Sequence, residues 1–202
     1  MSNGFPTAKF FCIINQETGF CLAAAHGGTT EGMQAAKDRL TGASGFIPYS
    51  HTNDQILVVR KPDGHRGTIW FFDERKNTYG QENWHLVNAN KDIRSAFNLH
   101  VGPLDKFSQP VELGLTGWGQ EGQTQWTFDG GMFWPGSHKD KVVTLRPDGK
   151  GGHHAVVAGR GAGHQQWRLQ EVSLPGESVP VRRLGIYEPG GGGDPLKWRD
   201  AM

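Results

Sequence analysis

The sequence predicts an all-β fold built from three similar units of four short strands. A stretch containing a Gln-Trp pair, Gly122–Phe128, recurs as Gly163–Leu169, and its two tryptophans lie 41 positions apart. Each copy ends a glycine-rich loop and then alternates polar and apolar residues, which is typical of a strand with one buried face. A period of this length indicates a repeat architecture. The 30 Gly and 11 Pro in 202 residues disfavour long helices.

Each unit begins with a pair of apolar runs separated by turn residues, which predicts a β-hairpin. In the first unit, the turn residues Asn15–Gly19 separate the two runs. The three predicted hairpins are Phe10–Ile14 with Phe20–Ala25, Trp84–Val87 with Ile93–Val101, and Met132–Trp134 with Val142–Leu145. A third apolar run follows each hairpin, at Met33–Ala36, Val111–Leu113 and Ala155–Val157. The fourth strand contains Trp126 in the second unit and Trp167 in the third.

The closing strand of the first unit has two candidates, Asp54–Val59 and Thr68–Asp73. The second candidate repeats the Trp, Phe and Asp of Trp126–Asp129, but the first has a Gln followed by apolar alternation. We predict that the first is the closing strand and the second its hairpin partner, joined by a turn at Pro62–Gly64. The first unit is longer than the others by about 30 residues. We expect an insertion at about 41–79.

The Gln-Trp strands and the hairpins together resemble the ricin B-type lectins, especially their cytosolic fungal members. The resemblance covers about residues 9 to 170, and the strict Gln-x-Trp spacing of that family is present at Gln165–Trp167. It implies a β-trefoil, in which six of twelve strands form a short barrel and six form a cap, with pseudo-threefold symmetry. We therefore expect a trefoil domain over 1–172, followed by a Pro/Gly-rich tail over 173–202.

Composition argues against several classes of partner. With 21 Lys and Arg against 20 Asp and Glu, the net charge of +1 gives no reason to expect nucleic acid. The sequence contains no apolar run of transmembrane length and no signal peptide, so we expect a cytoplasmic protein whose release would need a non-classical route. Cys12 and Cys21 flank the first predicted turn. Two reduced core cysteines are favoured over a disulfide.

Sugar sites in the resembling family combine an Asp after the second strand, an aromatic ring and an amide in the loop before the Gln-Trp strand. A sugar needs directional acceptors for its hydroxyls and a flat surface for its C–H face. The Asp position reads Ala23, His100 and Arg146 in the three units. The second unit nevertheless offers a complete set of groups. The predicted carbohydrate site consists of His100, Asp105, Trp118, Gln120 and Gln123.

Alternatives remain for several of these residues. Trp118, flanked by glycines, either presents its ring to a ligand or folds back over the core. Trp126 and Trp167 are assigned to the core rather than to a binding surface. The other units are weaker sites: the first offers only His26 and Asp38, and the third offers Asp148, His153 and His154 without an aromatic residue in its Gly159–Gly163 loop.

We therefore expect a carbohydrate-binding lectin without catalytic activity or cofactor. No nucleophile elbow, zinc-protease motif or paired-carboxylate pattern supports an enzyme. His153, His154 and His164 lack a Cys or carboxylate spaced to complete a tetrahedral metal site. The alternative function is a protein-binding trefoil, such as a protease inhibitor or cytoskeletal module, using Tyr49 in the expected insertion. In the tail, Leu196 and Trp198 either hold a homodimer or fold back onto their own barrel.

Overall fold

A computed structural model of the chain describes residues 3–26, 55–76, 82–89, 98–101, 104, 110–116, 125–136 and 138–179. These ranges form twelve β-strands and a three-residue 3₁₀ turn, Arg66–Thr68. The strands are β1 Phe10–Asn15, β2 Cys21–His26, β3 Gln55–Arg60, β4 Trp70–Lys76, β5 Glu82–Asn88, β6 Asn98–Val101, β7 Val111–Thr116, β8 Trp126–Asp129, β9 Met132–Pro135, β10 Lys141–Pro147, β11 His153–Gly159 and β12 Trp167–Val172. The predicted all-β fold is confirmed.

Six of these strands form a closed barrel. Strand β1 pairs with β12 on one side and with β4 on the other, and β4 pairs in turn with β5. An isolated bridge between His85 and Gln125 continues the barrel to β8, which pairs with β9. A hydrogen bond of 2.6 Å from the backbone N–H of Trp167 to the Gly131 carbonyl joins the start of β9 to β12 and so closes the barrel. Closure removes the unpaired edges that an open sheet of this size would expose.

The other six strands form three hairpins that cap one end of the barrel. The hairpins are β2 with β3, β6 with β7, and β10 with β11. Strands β7 and β11 pair with each other where the second and third hairpins meet. One strand pair in the barrel and one hairpin in the cap therefore come from each repeat, which is the arrangement expected of a β-trefoil.

A buried tryptophan joins barrel and cap in every repeat. Trp70, Trp126 and Trp167 are fully buried and begin β4, β8 and β12. The indole N–H of each donates to a carbonyl in the second strand of its own repeat, over 2.9 to 3.0 Å: Trp70 to Leu22, Trp126 to Leu99, and Trp167 to Val143. The assignment of Trp126 and Trp167 to the core is thus confirmed.

The prediction for the closing strand of the first repeat is wrong. Gln55–Arg60 is the third strand, since it pairs with β2 in the cap, and the strand that closes the repeat is β4. The physical reason is Trp70, whose indole occupies the same place as its two counterparts and so requires β4 to lie in the barrel. The run Met33–Ala36, which we expected to be the third strand, lies outside the described residues.

The extra length of the first repeat lies between β2 and β3. Twenty-eight residues, 27–54, join these strands, whereas 9 residues join β6 to β7 and 5 join β10 to β11. Strands β3 and β4 belong to the trefoil although they fall within the 41–79 range expected to be inserted. The connection itself lies outside the described residues.

The N-terminal segment plugs the barrel. Phe5 is 2% exposed and its ring lies 5.3 to 6.1 Å from four other phenylalanine rings. These rings belong to Phe11, Phe72, Phe128 and Phe133. The Asn3 carbonyl accepts from the Phe128 N–H over 2.7 Å, and the Asn3 side-chain amide donates to the Trp126 carbonyl over 3.2 Å. Phe5 is therefore part of the domain core, and Asn3 fastens the segment to β8.

A second apolar cluster lies on the outer face of β1, where Phe10, Cys12 and Ile14 are buried. Val179 and Leu174, from the start of the predicted tail, pack against this cluster. The Arg66 guanidinium binds both carboxylate oxygens of Glu177 and fastens the same segment. Residues 173–179 thus dock on their own barrel. Burial on both faces explains why β1 reads as a continuous apolar run.

Cys12 and Cys21 are both free and buried. Burial raises the pKa of the Cys21 thiol to about 12, and the neighbouring Cys12 adds to the rise. Burial also raises the pKa of Cys12, against an opposing hydrogen bond with Thr68.

The 3₁₀ turn Arg66–Thr68 is the helical element among the described residues. Nothing helical in those residues has the length and apolar character needed to cross a membrane.

The plug can be tested with a matched pair of glycines. Gly4 and Gly64 have φ of +82° and +74°, but a Cβ at Gly4 would lie 1.7 Å from the Phe128 carbonyl oxygen, whereas Gly64 faces open space. We expect Gly64→Ala to cost about 1 to 2 kcal/mol for the backbone conformation alone. Gly4→Ala should cost at least about 3 kcal/mol, because Phe5 must leave the core. Urea denaturation measures both, and equal costs would contradict the plug.

The raised pKa of the Cys21 thiol predicts that the folded protein loses stability in alkali. Its pKa in the folded protein, about 12, lies above its ordinary value of 9.0, so its contribution is complete below pH 9 and is lost as pH rises towards 12. By pH 10 the loss should be about 1 kcal/mol. The free energy of unfolding of the wild type should therefore fall more steeply between pH 8 and about 10.5 than that of Cys21→Ala. Val87→Ala, from the same cluster, should keep the wild-type slope; equal slopes in all three would contradict the prediction.

Candidate functional site

Most of the predicted second-unit site lies outside the described residues. Four of its five residues are not among those that the structure describes: Asp105, Trp118, Gln120 and Gln123. His100 lies in β6, in register with Gly114 of β7. The structure therefore neither brings these residues together nor separates them, and the site remains a prediction.

Two weaker candidates in the third repeat have structural roles. The Asp148 carboxylate accepts from the backbone N–H groups of Lys150 and Gly152, at 2.8 and 2.9 Å, and so shapes the β10–β11 turn. His154 Nε2 lies 3.6 Å from the Glu112 carboxylate, across the β7–β11 contact. In the first repeat, His26 ends β2 opposite Gln55, and Asp38 lies outside the described residues.

The structure instead groups four side chains where the first and third repeats meet. We call Glu17, Phe20, His153 and His164 the seam cluster. The Phe20 and His153 rings lie 4.9 Å apart, and the His153 and His164 rings 6.1 Å apart. His164 Nδ1 is 2.6 Å from Glu17 Oε2. An aromatic ring, two imidazoles and a carboxylate therefore share one surface.

The β1–β2 turn positions the first-repeat half of the seam cluster. Asn15 is fully buried, and its side-chain oxygen accepts from the N–H groups of Glu17 and Thr18 at 3.2 and 3.1 Å. Its amide donates to the His164 carbonyl over 3.2 Å. Gly19 completes the turn with φ of +72°, a conformation that favours glycine. One asparagine thus shapes the turn and ties it to the third repeat.

The third repeat contributes His153 from the start of β11 and His164 from the loop between β11 and β12. His153 begins β11, where its strand partner is Pro147. His164 precedes the Gln165–Trp167 motif, and its carbonyl also accepts from the Leu145 N–H over 3.0 Å. Both imidazoles are therefore placed by anchored backbone. His153 Nδ1 is buried and has no hydrogen-bond partner in the described part of the chain.

The seam cluster does not form a metal site. Across the described ranges, no three side chains of His, Cys, Asp or Glu are grouped so that they could hold a metal ion. His154, the third histidine that the sequence analysis considered as a metal ligand, lies near Glu112 instead.

Sequence reasoning missed Glu17 and Phe20. It searched for an aromatic residue in the Gly159–Gly163 loop of the same repeat, whereas the ring comes from a turn about 140 residues earlier. The signal that could have found it is barrel closure. A trefoil pairs its first and last strands, and β1 pairs with β12 from Phe10–Val172 to Asn15–Trp167.

Comparison with known proteins bears on the fold. The sequence matches no family model and no curated protein. The C-terminal domain of an earthworm lectin, solved as a mutant in complex with 6'-sialyllactose, is similar in structure at a TM-score of 0.50 and 12% identity, covering 81% of this chain and 99% of that one. The fold is a β-trefoil. The solution structure of the mdaA-1 domain is also similar, at a TM-score of 0.51 and 12% identity, covering 90% of this chain and 98% of that one.

At 12% identity these likenesses concern the trefoil fold and leave the site residues to be argued from their own chemistry. Each repeat has a connecting loop between its third and fourth strands. In the third repeat that loop carries His164; in the second it carries Trp118, Gln120 and Gln123.

The role of Asn15 predicts a large effect from an isosteric change. Asn15→Asp replaces the amide that donates to the His164 carbonyl with a buried carboxylate oxygen facing it. We expect a loss of about 2 to 4 kcal/mol in unfolding free energy. Gln16→Glu is the control, because Gln16 is exposed on the same turn and its amide donates to the Trp167 carbonyl. It should cost less than about 1 kcal/mol. Similar losses in urea denaturation would refute the role of Asn15.

Proposed function

We propose that the protein recognises carbohydrate without catalysing a reaction, through exposed loops of a trefoil of the ricin B-type lectin kind. The observation that supports this most is the shared fold with a lectin domain solved in complex with 6'-sialyllactose. Trefoil loops vary while the barrel and cap hold them in place, so one fold can present different sites. The ligand class is therefore a mono- or oligosaccharide of a glycoprotein or glycolipid.

The proposed primary site is the second-unit set His100, Asp105, Trp118, Gln120 and Gln123. Three of these residues lie between Thr116, the end of β7, and Trp126, the start of β8. Trp126 is anchored under the cap by its bond to the Leu99 carbonyl. The loop thus leaves and re-enters ordered strands, and this supports its use as a binding loop. An indole ring, amides, an imidazole and a carboxylate are the groups that a pyranose needs.

The rival function is a protein-binding trefoil. The observation that favours it is the 28-residue connection between β2 and β3, three or more times longer than its counterparts. Tyr49 lies in this connection. A long loop with an aromatic residue is a common anchor in protein interfaces.

Several further properties are proposed on sequence grounds alone. They are a cytoplasmic location, no nucleic-acid partner, and a homodimer held by Leu196 and Trp198 of the tail. The docking of residues 173–179 on their own barrel supports the competing idea that the tail folds back. Leu196 and Trp198 lie outside the described residues.

The two functions make opposite predictions for two aromatic residues. On a glycan array, Trp118→Ala should bind the main wild-type ligands at least about tenfold more weakly, because the ring that stacks on the sugar is lost. Tyr49→Ala should bind as the wild type does. Both variants should keep the wild-type melting temperature. An array without any wild-type signal, or a loss confined to Tyr49→Ala, would contradict the lectin proposal.

A further inference from the structure

The seam cluster presents polar and aromatic groups at the surface of the protein. The Glu17 and His164 side chains are 45% and 38% exposed, yet they lie 2.6 Å apart in an ordered contact. Phe20 is partly buried against the main core and leaves part of its ring uncovered. His153 carries a buried nitrogen without a partner in the described residues.

We propose that the seam cluster is a second carbohydrate site, which binds a neutral pyranose between the first and third repeats. This inference rests on the proposed function and adds a site to it. The rings of Phe20 and His153 supply an apolar surface for the C–H face of a sugar. Glu17 and His164 supply directional polar atoms beside that surface. The site requires both repeats, since neither contributes the full set.

The contact between Glu17 and His164 sets the polarity of this site. An ionised carboxylate only accepts hydrogen bonds, so the imidazole Nδ1 carries the hydrogen and donates it to Glu17 Oε2. Nε2 of His164 and Oε1 of Glu17 then remain for a ligand. One carboxylate oxygen and one imidazole nitrogen suit adjacent hydroxyl groups of a sugar, since a hydroxyl both donates and accepts hydrogen bonds.

Charge favours neutral over acidic sugars. The carboxylate of Glu17 would lie against any carboxylate or sulfate on a ligand, and close like charges repel. The four described side chains that define the cluster are one carboxylate, one phenyl ring and two imidazoles. The ligand class is therefore an uncharged hexopyranose residue at the end of a glycan.

A second site would change how the protein acts on cell surfaces. The seam cluster and the second-unit loop belong to different repeats, so one chain could engage two glycans. Two linked sites raise avidity without new contacts and allow crosslinking by a monomer.

The test uses the full-length protein on a glycan array, in a Trp118→Ala background that weakens the primary site. His164→Ala and Glu17→Ala are added singly. Each has a matched control: His154→Ala, since His154 is 40% exposed and also near a carboxylate, and Glu171→Ala, since Glu171 is 56% exposed and pairs with Lys9. Melting temperatures verify that all variants are folded.

We expect His164→Ala and Glu17→Ala to lower the remaining signal about tenfold on glycans that end in neutral pyranoses, with the controls unchanged. No remaining signal, or equal signals in test and control variants, overturns the seam site and leaves the proposed function standing. An array without wild-type binding overturns both.

A second measurement does not depend on Trp118→Ala. In the wild-type chain, methyl β-galactoside and methyl α-glucoside serve as neutral probes, and the imidazole signals of the histidines are followed by NMR. The signals of His153 and His164 should move with at least one probe while that of His154 stays in place. A shift of His154 alone, or no shift, contradicts the proposal.

Discussion

Three indole N–H groups hold barrel and cap together. Trp70, Trp126 and Trp167 each bury about 150 to 250 Å² of ring surface, and each must satisfy its N–H inside the core. Each does so with a carbonyl of its own repeat's second strand. Because a buried donor without a partner is costly, this bond ties the closing strand of a repeat to its cap hairpin. The three bonds impose the same geometry three times.

The position of the seam cluster follows from that geometry. The loop that enters β12 ends next to the anchored indole of Trp167, so His164 starts from a fixed backbone position. His164 lies in the loop of the third repeat, and Trp118 in the corresponding loop of the second. The Asn15 amide then fastens the β1–β2 turn of the first repeat to the third-repeat loop by donating to the His164 carbonyl. The barrel and this turn thus hold the four side chains of the seam cluster on one surface.

Residues near both ends of the described chain pack into the buried apolar clusters. Phe5 fills the end of the barrel, and Val179 covers the outer face of β1. Both segments bury apolar residues that the twelve strands alone would leave uncovered. The long connection 27–54, by contrast, joins two paired strands whose register is set by the cap. A loop closed by such a pair can lengthen at small entropic cost.

The sequence by itself determined the all-β class, the repeats and the core role of Trp126 and Trp167, because strand alternation, turn residues and a repeated Gln-Trp pair are local signals. It placed the hairpins wrongly, because it paired the first strand of each repeat with the second, whereas the hairpins of the structure pair the second strand with the third. The predicted partners share one residue pair each in β1–β2 and in β5–β6. Local pattern could not decide which strand closes the first repeat, since Asp54–Val59 has a Gln before apolar residues and Thr68–Asp73 repeats the Trp, Phe and Asp of Trp126–Asp129. Only the tertiary place of the indole of Trp70 decided it. Nor could it find the seam cluster, because Glu17 and Phe20 meet His153 and His164 only when β1 pairs with β12. Contacts between the two ends of a chain depend on barrel closure, which is a property of the folded molecule and not of any local stretch.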